Sequence, residues 1–305
     1  MYSRVIRILL TLFLLSLSAC VSLSDKNQYI SNTSVITTEL DTCQPAAALQ
    51  DNTHREEGDK GLDPENISLL NWNIYKGNGE DWQKDLSAFA KDHQILTIQE
   101  ALIGDDLDSL LAEHDFNWVM NTAFYMDGDA AGVMNVASTN AVHSCGFKVP
   151  EPLIRIPKST LISYYRIEGS EEQLLVANIH GINFTFGVEY YSEQLYQLFD
   201  AVKYHDGPMI VAGDFNSWSD SRMEVLDQVV DRLSLSRLEY PVNKKTHLFG
   251  KAIDHVFYRD LQLVSNQVWQ VSSSDHNPIS VTFKLKPESR FIAVREIPEA
   301  CASSC

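Results

Sequence analysis

Short apolar runs alternate along most of the chain with segments whose apolar residues recur at helical spacing. The runs have the length of strands and predict β-strands at residues 68–74, 95–99, 160–166, 174–180, 209–212, 253–258 and 279–284. Tyr191, Leu195, Leu198, Phe199 and Val202 share one face of a helix predicted at residues 189–205. Shorter helices are predicted at residues 105–112 and 221–230. The pattern alternates strands with helices and leaves the strand order open.

Polar residues follow or flank six of the apolar runs. The six segments are LNWNI (70–74), TIQE (97–100), ANIH (177–180), GDFN (213–216), IDHVF (253–257) and SDHNP (274–278). A buried strand that ends in a polar residue delivers one functional group to the edge of a sheet, so we expect a shared site there. Carboxylates bind hard cations, and a histidine donates a proton to an oxyanion. This set therefore favours metal-assisted phosphoester hydrolysis.

The six segments, in this order and at these intervals, resemble the endonuclease/exonuclease/phosphatase superfamily over about residues 66–286. That resemblance implies an α/β fold, a four-layer sandwich of two mixed β-sheets flanked by helices. At finer grain, WNIYK (72–76), NIH (178–180), Gly187-Val188 and AGDFNSWS (212–219) resemble the YafD-like branch of bacterial proteins. The resemblance implies a reaction type more than a substrate.

The resemblance also implies a divalent-metal site and a catalytic set. The metal is expected to be Mg²⁺ or Mn²⁺, bound mainly by Glu100, with Asn73 as a neutral ligand or orienting amide and Asp275 linked to the metal. Buried at a strand end, an unpaired Glu100 carboxylate would be costly, and a cation removes that cost. The catalytic residues implied are His180, Asp214, Asn216, Asp254 and His276. In these roles Asp214 handles the attacking water, Asn216 and His276 act on the phosphate, and Asp254 orients His276.

Phosphate-binding residues are less clearly marked. Asn183 matches a phosphate-contacting amide of the family, although a loop Asn that caps its own backbone is an open alternative. The phosphate-binding Arg of some members has no counterpart, because Pro150 stands at that position. Lys158 and Arg155 lie nearby, and Lys158 is the preferred substitute. Aromatic residues after His180 are expected to pack in the core, with base stacking or lipid contact as alternatives: Phe184, Phe186, Tyr190 and Tyr191.

The first residues have the pattern of an export signal. Arg4 and Arg7 precede an apolar stretch at residues 8–17, which is too short to span a bilayer as a mature helix. It ends in LSAC (17–20), which resembles a lipobox and predicts lipidation of Cys20; cleavage after Ala19 as an ordinary secretory signal is the alternative. We therefore expect an exported, periplasm-facing lipoprotein of the outer membrane.

Four segments follow from this organisation. Residues 1–20 are expected to be the lipoprotein signal peptide, 21–62 a flexible tether, 63–287 the endonuclease/exonuclease/phosphatase domain and 288–305 a C-terminal tail with two cysteines. Beyond Cys20, the cysteines are an even number in an exported chain, so they predict up to two disulfides with open connectivity, or else free thiols: Cys43, Cys145, Cys301 and Cys305.

The chain is strongly acidic, with a formal net charge of −17. Such a charge repels a polyanion at long range, which disfavours an avid or processive nucleic-acid binder. We expect a lipid-anchored, divalent-metal-dependent phosphodiester hydrolase that is nuclease-like. A phosphatase or phospholipase-C-like esterase on lipid or sugar phosphates is the first alternative, and a catalytically silent binding lipoprotein the second. The expected partners are a phosphoester substrate (nucleic acid, nucleotide or phospholipid) and a membrane; no obligate protein partner is evident.

Overall fold

A computed structural model describes residues 21–24, 26–32, 34–38, 43, 60–240 and 242–286. These residues form two large mixed sheets and a small two-stranded one. The strands, in chain order, are β1 Val21–Ser22, β2 Asn27–Ser31, β3 Val35–Thr38, β4 Ile67–Asn73, β5 Ile95–Ile103, β6 Asn117–Met126, β7 Asp129–Ala137, β8 His143–Pro150, β9 Pro157–Arg166, β10 Gln173–His180, β11 Met209–Asp214, β12 Ser236–Arg237, β13 His247–Leu248, β14 Lys251–Ala252, β15 Asp254–Arg259, β16 Leu261–Val268 and β17 Ile279–Leu285.

The larger sheet has the order β16-β17-β4-β5-β7-β6-β2-β3, with β1 also paired to β6. The smaller of the two has the order β12-β15-β11-β10-β9-β8. Parallel pairs lie at the centre of each sheet: β4 runs parallel to β5, and β10 runs parallel to β11. The carboxyl ends of these four strands carry most of the polar residues that the sequence marks.

Four helices cover the outer faces of the two sheets, within the part of the chain that the structure describes. They are α1 Trp82–Ala90, α2 Asp105–Glu113, α3 Glu189–Val202 and α4 Asp220–Arg232. The last three correspond to the predicted helices, with ends that differ by at most three residues. The Ser219 side chain accepts a hydrogen bond from the Arg222 N–H and so caps the first turn of α4.

The alternation of side chains along β4 shows why the layers stack. Ile67 and Leu69 point between the two sheets, whereas Leu70 and Trp72 point outward to α1 and α2. A third apolar cluster lies between the smaller sheet and helices α3 and α4. The molecule thus has four layers, helix–sheet–sheet–helix, which confirms the predicted sandwich.

The N-terminal segment differs from the predicted tether. Strands β1 and β2 pair with β6, and β3 pairs with β2, so the larger sheet is extended by residues 21–38. Tyr29 is buried, and its hydroxyl donates to the Gly146 carbonyl of the other sheet at 2.8 Å. The polar composition of this segment led to the prediction of a flexible tether. An edge strand, however, is held by backbone hydrogen bonds, which polar side chains also permit. The described part of residues 21–62 is therefore part of the domain.

One disulfide joins this segment to the smaller sheet. Cys43 is bonded to Cys145 of β8, across a sequence separation of 102 residues. Cys20, Cys301 and Cys305 lie outside the described residues, as do the predicted signal peptide (residues 1–20) and the predicted C-terminal tail (residues 288–305). Among the described residues, no helix has the length and apolar character needed to cross a bilayer.

Candidate active site

The space between the two sheets is apolar over most of its length and becomes polar at one end. On β4 the inward positions run from Ile67 and Leu69 to Asn71 and Asn73. The same change occurs on β5 at Gln99 and Glu100, and at the ends of β10 and β11, which are His180 and Asp214. Because these strands are parallel in pairs, their carboxyl ends meet at one edge. The alternation of the sequence thus builds an apolar core with a polar end.

Strand register brings three predicted catalytic residues side by side. His180 of β10 pairs with Asp214 of β11, and Asp214 pairs in turn with Asp254 of β15. All three side chains are buried. They come from segments separated by dozens of residues, and the sheet places them on neighbouring strands.

The turn after β11 fixes the position of Asp214. Gly213 allows the close approach of β10, since a Cβ atom there would lie 2.0 Å from the Ile179 carbonyl oxygen. Asn216 adopts a left-handed φ of 49°, and its backbone N–H donates to Asp214 Oδ1 at 3.0 Å. The Asn216 amide donates to the Gly181 carbonyl at 3.1 Å. In this structure Asn216 therefore holds the turn, and one amide hydrogen remains for a ligand.

His276 lies opposite Asp214 on the loop between β16 and β17. Its Nδ1 is 3.0 and 2.9 Å from the two oxygens of Asp254, and its Nε2 is 3.8 Å from Asp214 Oδ2. The Trp72 indole donates to the His276 carbonyl at 2.9 Å, and the Ser274 hydroxyl accepts from the His276 N–H at 3.1 Å. These bonds fix the ring so that Nδ1–H points to Asp254 and Nε2 points to Asp214.

Charge in this group is set by burial and by the carboxylates. Burial opposes the charged form of His276, but Asp254 and Asp214 outweigh it and raise the pKa of His276 to about 10. Burial also raises the pKa of Asp214; His276 opposes that rise, and Asp254 adds to it. His276 is thus an imidazolium at neutral pH, next to a carboxylate that accepts a proton more readily than an ordinary Asp.

His180 differs from His276 because it is neutral. Burial and the nearby Lys158 hold the pKa of His180 well below its ordinary value. The Lys158 Nζ lies 2.7 Å from His180 Nε2. A charged Lys158 can only donate, which would make Nε2 the acceptor and place the proton on Nδ1. Burial lowers the pKa of Lys158, although Glu100, Glu151 and Asp214 work against that shift.

Glu100 ends the straight part of β5 with a left-handed φ of 51°. Its Oε2 accepts a hydrogen bond from Lys76, and its Oε1 lies 3.8 Å from His180 Nε2. Burial raises the pKa of Glu100, but Lys76 and Lys158 together lower it by more, so the net shift is downward. The carboxylate is therefore anionic. Lys76 belongs to the WNIYK segment, although no role was predicted for it.

A divalent cation fits the oxygen donors at this end of the sheets. Glu100 and Asp214 offer two carboxylates, and Mg²⁺ takes one or two together with substrate phosphate and water. Asn73 donates its amide to Asp214 Oδ2 at 3.1 Å and accepts from the Tyr75 N–H at 3.1 Å. These two bonds favour the role of orienting amide for Asn73.

Asp275, the third predicted metal residue, is exposed beside the site. Its Oδ1 accepts from the Ser274 hydroxyl at 3.4 Å. A different trio has the spacing of metal ligands, namely Asp214, Asp254 and His276. The hydrogen bond from His276 Nδ1 to Asp254 accounts for that spacing without an ion.

The three predicted phosphate-binding residues fall in different places. Lys158 lies in the site, bonded to His180. Arg155 is exposed, in a turn with a φ of 60°, and the cavity wall is formed by its neighbours Ile154 and Ile156. The Asn183 Oδ1 accepts a hydrogen bond from the Trp218 indole at 3.0 Å. This bond fixes the amide group and leaves its NH₂ to donate to a ligand.

Sequence reasoning missed a buried guanidinium behind the site. Arg222 of α4 donates to the carbonyls of Ile182, Asn183 and Asn216. Its plane lies 4.7 Å from the Tyr191 ring and 4.3 Å from the Trp218 ring. Arg222 thus joins the loop after β10 to the loop after β11, both of which border the site. Its place in a helical sequence gave no sign of this.

A buried carboxylate, also missed, ties another loop to the site. Glu151 is 0% exposed, and its Oε1 accepts from the Asn183 N–H at 2.7 Å. It follows Pro150 directly, in the region where the phosphate-binding Arg was sought. Glu151 therefore joins the loop before β9 to the loop after β10.

Amides link the two sheets directly beneath the site. The Gln99 amide donates to Asn71 Oδ1 at 2.9 Å and to Asn178 Oδ1 at 2.7 Å. The Asn178 amide donates to the Ile98 and Met134 carbonyls. Both Gln99 and Asn178 are 0% exposed. Buried networks of this kind hold the strands that carry the site in one register.

A cavity of about 180 Å³ opens beside Glu100, Lys158 and His180. Its far wall is apolar and includes Phe124, Ile154, Ile156 and Phe184. Four exposed side chains border it or lie on the same two loops, and we call them the apolar rim: Leu153, Ile154, Phe184 and Phe186. Phe186 is 84% exposed. The rim is the kind of exposed apolar cluster that marks a binding surface.

A model of the Endonuclease/Exonuclease/phosphatase family matches residues 70–276. This range includes every predicted site residue except Cys20. Among sequence relatives, a UPF0294 protein of Vibrio parahaemolyticus is 41% identical over 232 residues, which is 75% of this chain and 82% of that protein. UPF0294 proteins are YafD-like, so this match confirms the finer resemblance.

Solved structures share the fold at low identity. The catalytic domain of human Nocturnin with bound sulfate superposes with a TM-score of 0.57 at 19% identity, covering 74% of this chain and 96% of that one. A beta toxin mutant from Staphylococcus aureus with bound magnesium ions gives 0.54 at 14% identity, covering 72% and 99%. At such identities the likeness shows the fold alone.

Proposed function

The chain belongs to the endonuclease/exonuclease/phosphatase family, a family of phosphoester hydrolases, and on this premise we propose that it is a divalent-metal-dependent phosphodiester hydrolase. One observation carries the proposal. A charged His276, held by Asp254, faces a buried Asp214 across 3.8 Å. This places a proton donor and a proton acceptor within reach of one reacting group, as hydrolysis at phosphorus requires.

In the proposed reaction Asp214 orients the attacking water and accepts its proton. The raised pKa of Asp214 suits that role, because a base acts best with a pKa near the working pH. His276 donates through Nε2–H to a phosphoryl oxygen, since Nδ1 is held by Asp254. Lys158 adds positive charge next to the developing charge on phosphate.

The divalent cation would be held by Glu100, with Asp214 and the amide of Asn73 beside it. When bound, it supplies Lewis-acid stabilisation of the phosphoryl oxygens. Two proteins of the same fold carry related ligands, namely magnesium ions in the beta toxin structure and sulfate in the Nocturnin structure. Every residue of the set is present here, which disfavours a silent binding protein.

For the substrate, the first candidate is a nucleic acid or nucleotide. The formal net charge of −17 favours short or single-stranded nucleic acid over long duplex DNA. The exposed Phe184 and Phe186 offer surfaces on which bases stack.

The apolar rim favours a second candidate, a phospholipid cleaved at its head group. Leu153, Ile154, Phe184 and Phe186 are all about half exposed or more next to the cavity. Base stacking would use only the two phenylalanines, whereas an enzyme that acts at a lipid interface inserts aliphatic and aromatic side chains of this kind among lipids.

The test is a screen for hydrolytic activity of the folded domain in the presence of Mg²⁺, in which wild type is compared with Asp214→Asn. Substrates are DNA, RNA, nucleotides, sphingomyelin vesicles and inositol phosphates. We expect Mg²⁺-dependent hydrolysis in at least one class, lost in Asp214→Asn. Phe186→Ser tells the candidates apart: it lowers activity on vesicles but not on a small soluble diester if lipid is the substrate. Absence of hydrolysis in every class would refute the proposal.

We also propose that the protein is exported and lipidated at Cys20, with the domain facing the periplasm from the outer membrane. The lipobox-like LSAC supports this, and so does the Cys43–Cys145 disulfide, since disulfides persist in oxidising compartments. Labelled palmitate should enter wild type but not Cys20→Ser. Equal membrane retention of both forms without label in wild type would refute lipidation.

A further inference from the structure

The turn after β4 holds three consecutive residues in a left-handed conformation. Tyr75, Lys76 and Gly77 have φ values of 53°, 56° and 69°. Only Gly adopts this conformation without cost, and Asn or Asp are the next best choices. The backbone conformation of the turn therefore does not explain why residue 76 is a Lys. Such strained positions concentrate at functional sites.

The Lys76 side chain explains the turn. Its ammonium bonds Glu100 Oε2, and the two side chains are 23% and 19% exposed. Both residues line the cavity that also contains Lys158 and His180. Glu100 itself has a left-handed φ of 51°. Two strained positions thus bring one cation and one anion together at the mouth of the cavity.

Without a metal ion, the Lys76 ammonium neutralises the Glu100 carboxylate. A divalent cation on Glu100 adds two positive charges at the position of the Lys76 ammonium. The metal ion and the Lys76 ammonium then compete for one carboxylate. A phosphate bound in the same cavity offsets the added positive charge.

We propose that Lys76 is the counter-ion that a divalent cation displaces from Glu100, and that the displaced ammonium then binds the substrate phosphate in the cavity. This rests on the proposed function, because it assumes a metal at Glu100. It makes Lys76 a further substrate-binding residue. It also makes metal binding and phosphate binding mutually favourable, since each relieves a charge that the other creates.

The experiment is calorimetric titration of the full chain with Mg²⁺, in the absence and presence of inorganic phosphate. Lys76→Met keeps the length of the side chain and removes its charge. In the absence of phosphate, the affinity of this variant for Mg²⁺ should be higher than that of wild type by about fivefold or more, as expected for the loss of one competing ion pair. The gain in Mg²⁺ affinity that phosphate brings should be smaller than in wild type. Lys84→Met, on the exposed face of α1, is the matched control and should leave both quantities unchanged.

A Lys76→Met variant with unchanged or weaker Mg²⁺ affinity would overturn the proposal. Lys76→Asn, which suits the left-handed turn, serves the same purpose if the Met variant does not fold. Glu100→Gln distinguishes a failure of the proposed metal site from a failure of the proposed role of Lys76. If it binds Mg²⁺ like wild type, the metal is not at Glu100 and the metal assignment of the proposed function fails. If Glu100→Gln loses Mg²⁺ but Lys76→Met gains none, only the role of Lys76 fails.

Discussion

At the scale of single residues, the site depends on pairs. Asp254 fixes the ring of His276 and supplies the charge that keeps it protonated. Burial, reinforced by Lys158, does the reverse for His180 and lowers its pKa, so that this ring is neutral. Two histidines in one buried site thus have different protonation states because their nearest charged neighbours have opposite signs.

The pairing of His276 with Asp254 predicts non-additive kinetics. His276→Ala should lower turnover about 10²–10⁴-fold, the usual contribution of a general acid. Asp254→Asn should cost less, because the imidazole remains. The double variant should be little worse than His276→Ala alone, since residues that act as a unit are not additive. Steady-state kinetics of the four forms test this, and losses that multiply would contradict the pairing.

A second prediction concerns stability and pH. The folded-state pKa of His276 is raised from 6.5 to about 10. The imidazolium therefore stabilises the fold fully below pH 6.5, and this stabilisation is lost as the pH rises through about 10. The difference in unfolding free energy between wild type and His276→Gln should shrink over that range.

Urea denaturation with EDTA present measures the difference across this pH range. His247→Gln, in the exposed hairpin of β13 and β14, is the control for a substitution of the same kind away from the site. A wild-type advantage over His276→Gln that stays constant or grows with pH would show that the imidazolium is not stabilised by the fold.

At the scale of elements, the sequence predicted seven strands from their apolar runs. Residues 174–180 and 209–212 were predicted and lie in β10 and β11. It missed β6 and β7, whose inward positions include polar Asn121 and Asn135. The turn between them was the available signal: Asp127 and Gly128 both have positive φ, as the residues of a tight hairpin turn do.

The site was predicted where a motif stands at the end of a strand, and missed where a contact is made through space. His180, Asp214, Asp254 and His276 are gathered as expected. Lys76 meets Glu100 across 24 residues, and Arg222 meets Asn183 across 39. Nothing local in a chain encodes such contacts, because they depend on the packing of whole layers.

Helix α4 contributes to the site through Arg222, which gives a third prediction. Arg222→Ala leaves the Ile182 and Asn216 carbonyls without their donor, whereas the Asn183 carbonyl still accepts from the Thr185 N–H. Unsatisfied buried groups cost about 1–3 kcal/mol each. We expect a loss of roughly 3 kcal/mol or more in unfolding free energy, with lower turnover. Arg232→Ala, in the last turn of the same helix, is exposed and should cost little. Equal effects of the two variants in urea denaturation would contradict the role of Arg222.

At the scale of the whole molecule, two sheets converge on one polar edge in an otherwise acidic protein. The formal net charge is −17, yet the site gathers Lys76, Lys158 and protonated His276. Three cationic groups thus lie at the polar edge, next to the carboxylates of Glu100, Asp214 and Asp254. This distribution favours a small anionic group as ligand over an extended polyanion.

The most direct test of the central claim is the hydrolysis of bis(p-nitrophenyl) phosphate by wild type and Glu100→Gln, with Mg²⁺ or with EDTA. Wild type should hydrolyse the diester with Mg²⁺, stop in EDTA and recover when Mg²⁺ is restored. Glu100→Gln should remain folded and lose the response to Mg²⁺. Wild-type hydrolysis that continues undiminished in EDTA, or full Mg²⁺-dependent activity in Glu100→Gln, would contradict metal-dependent catalysis at this site.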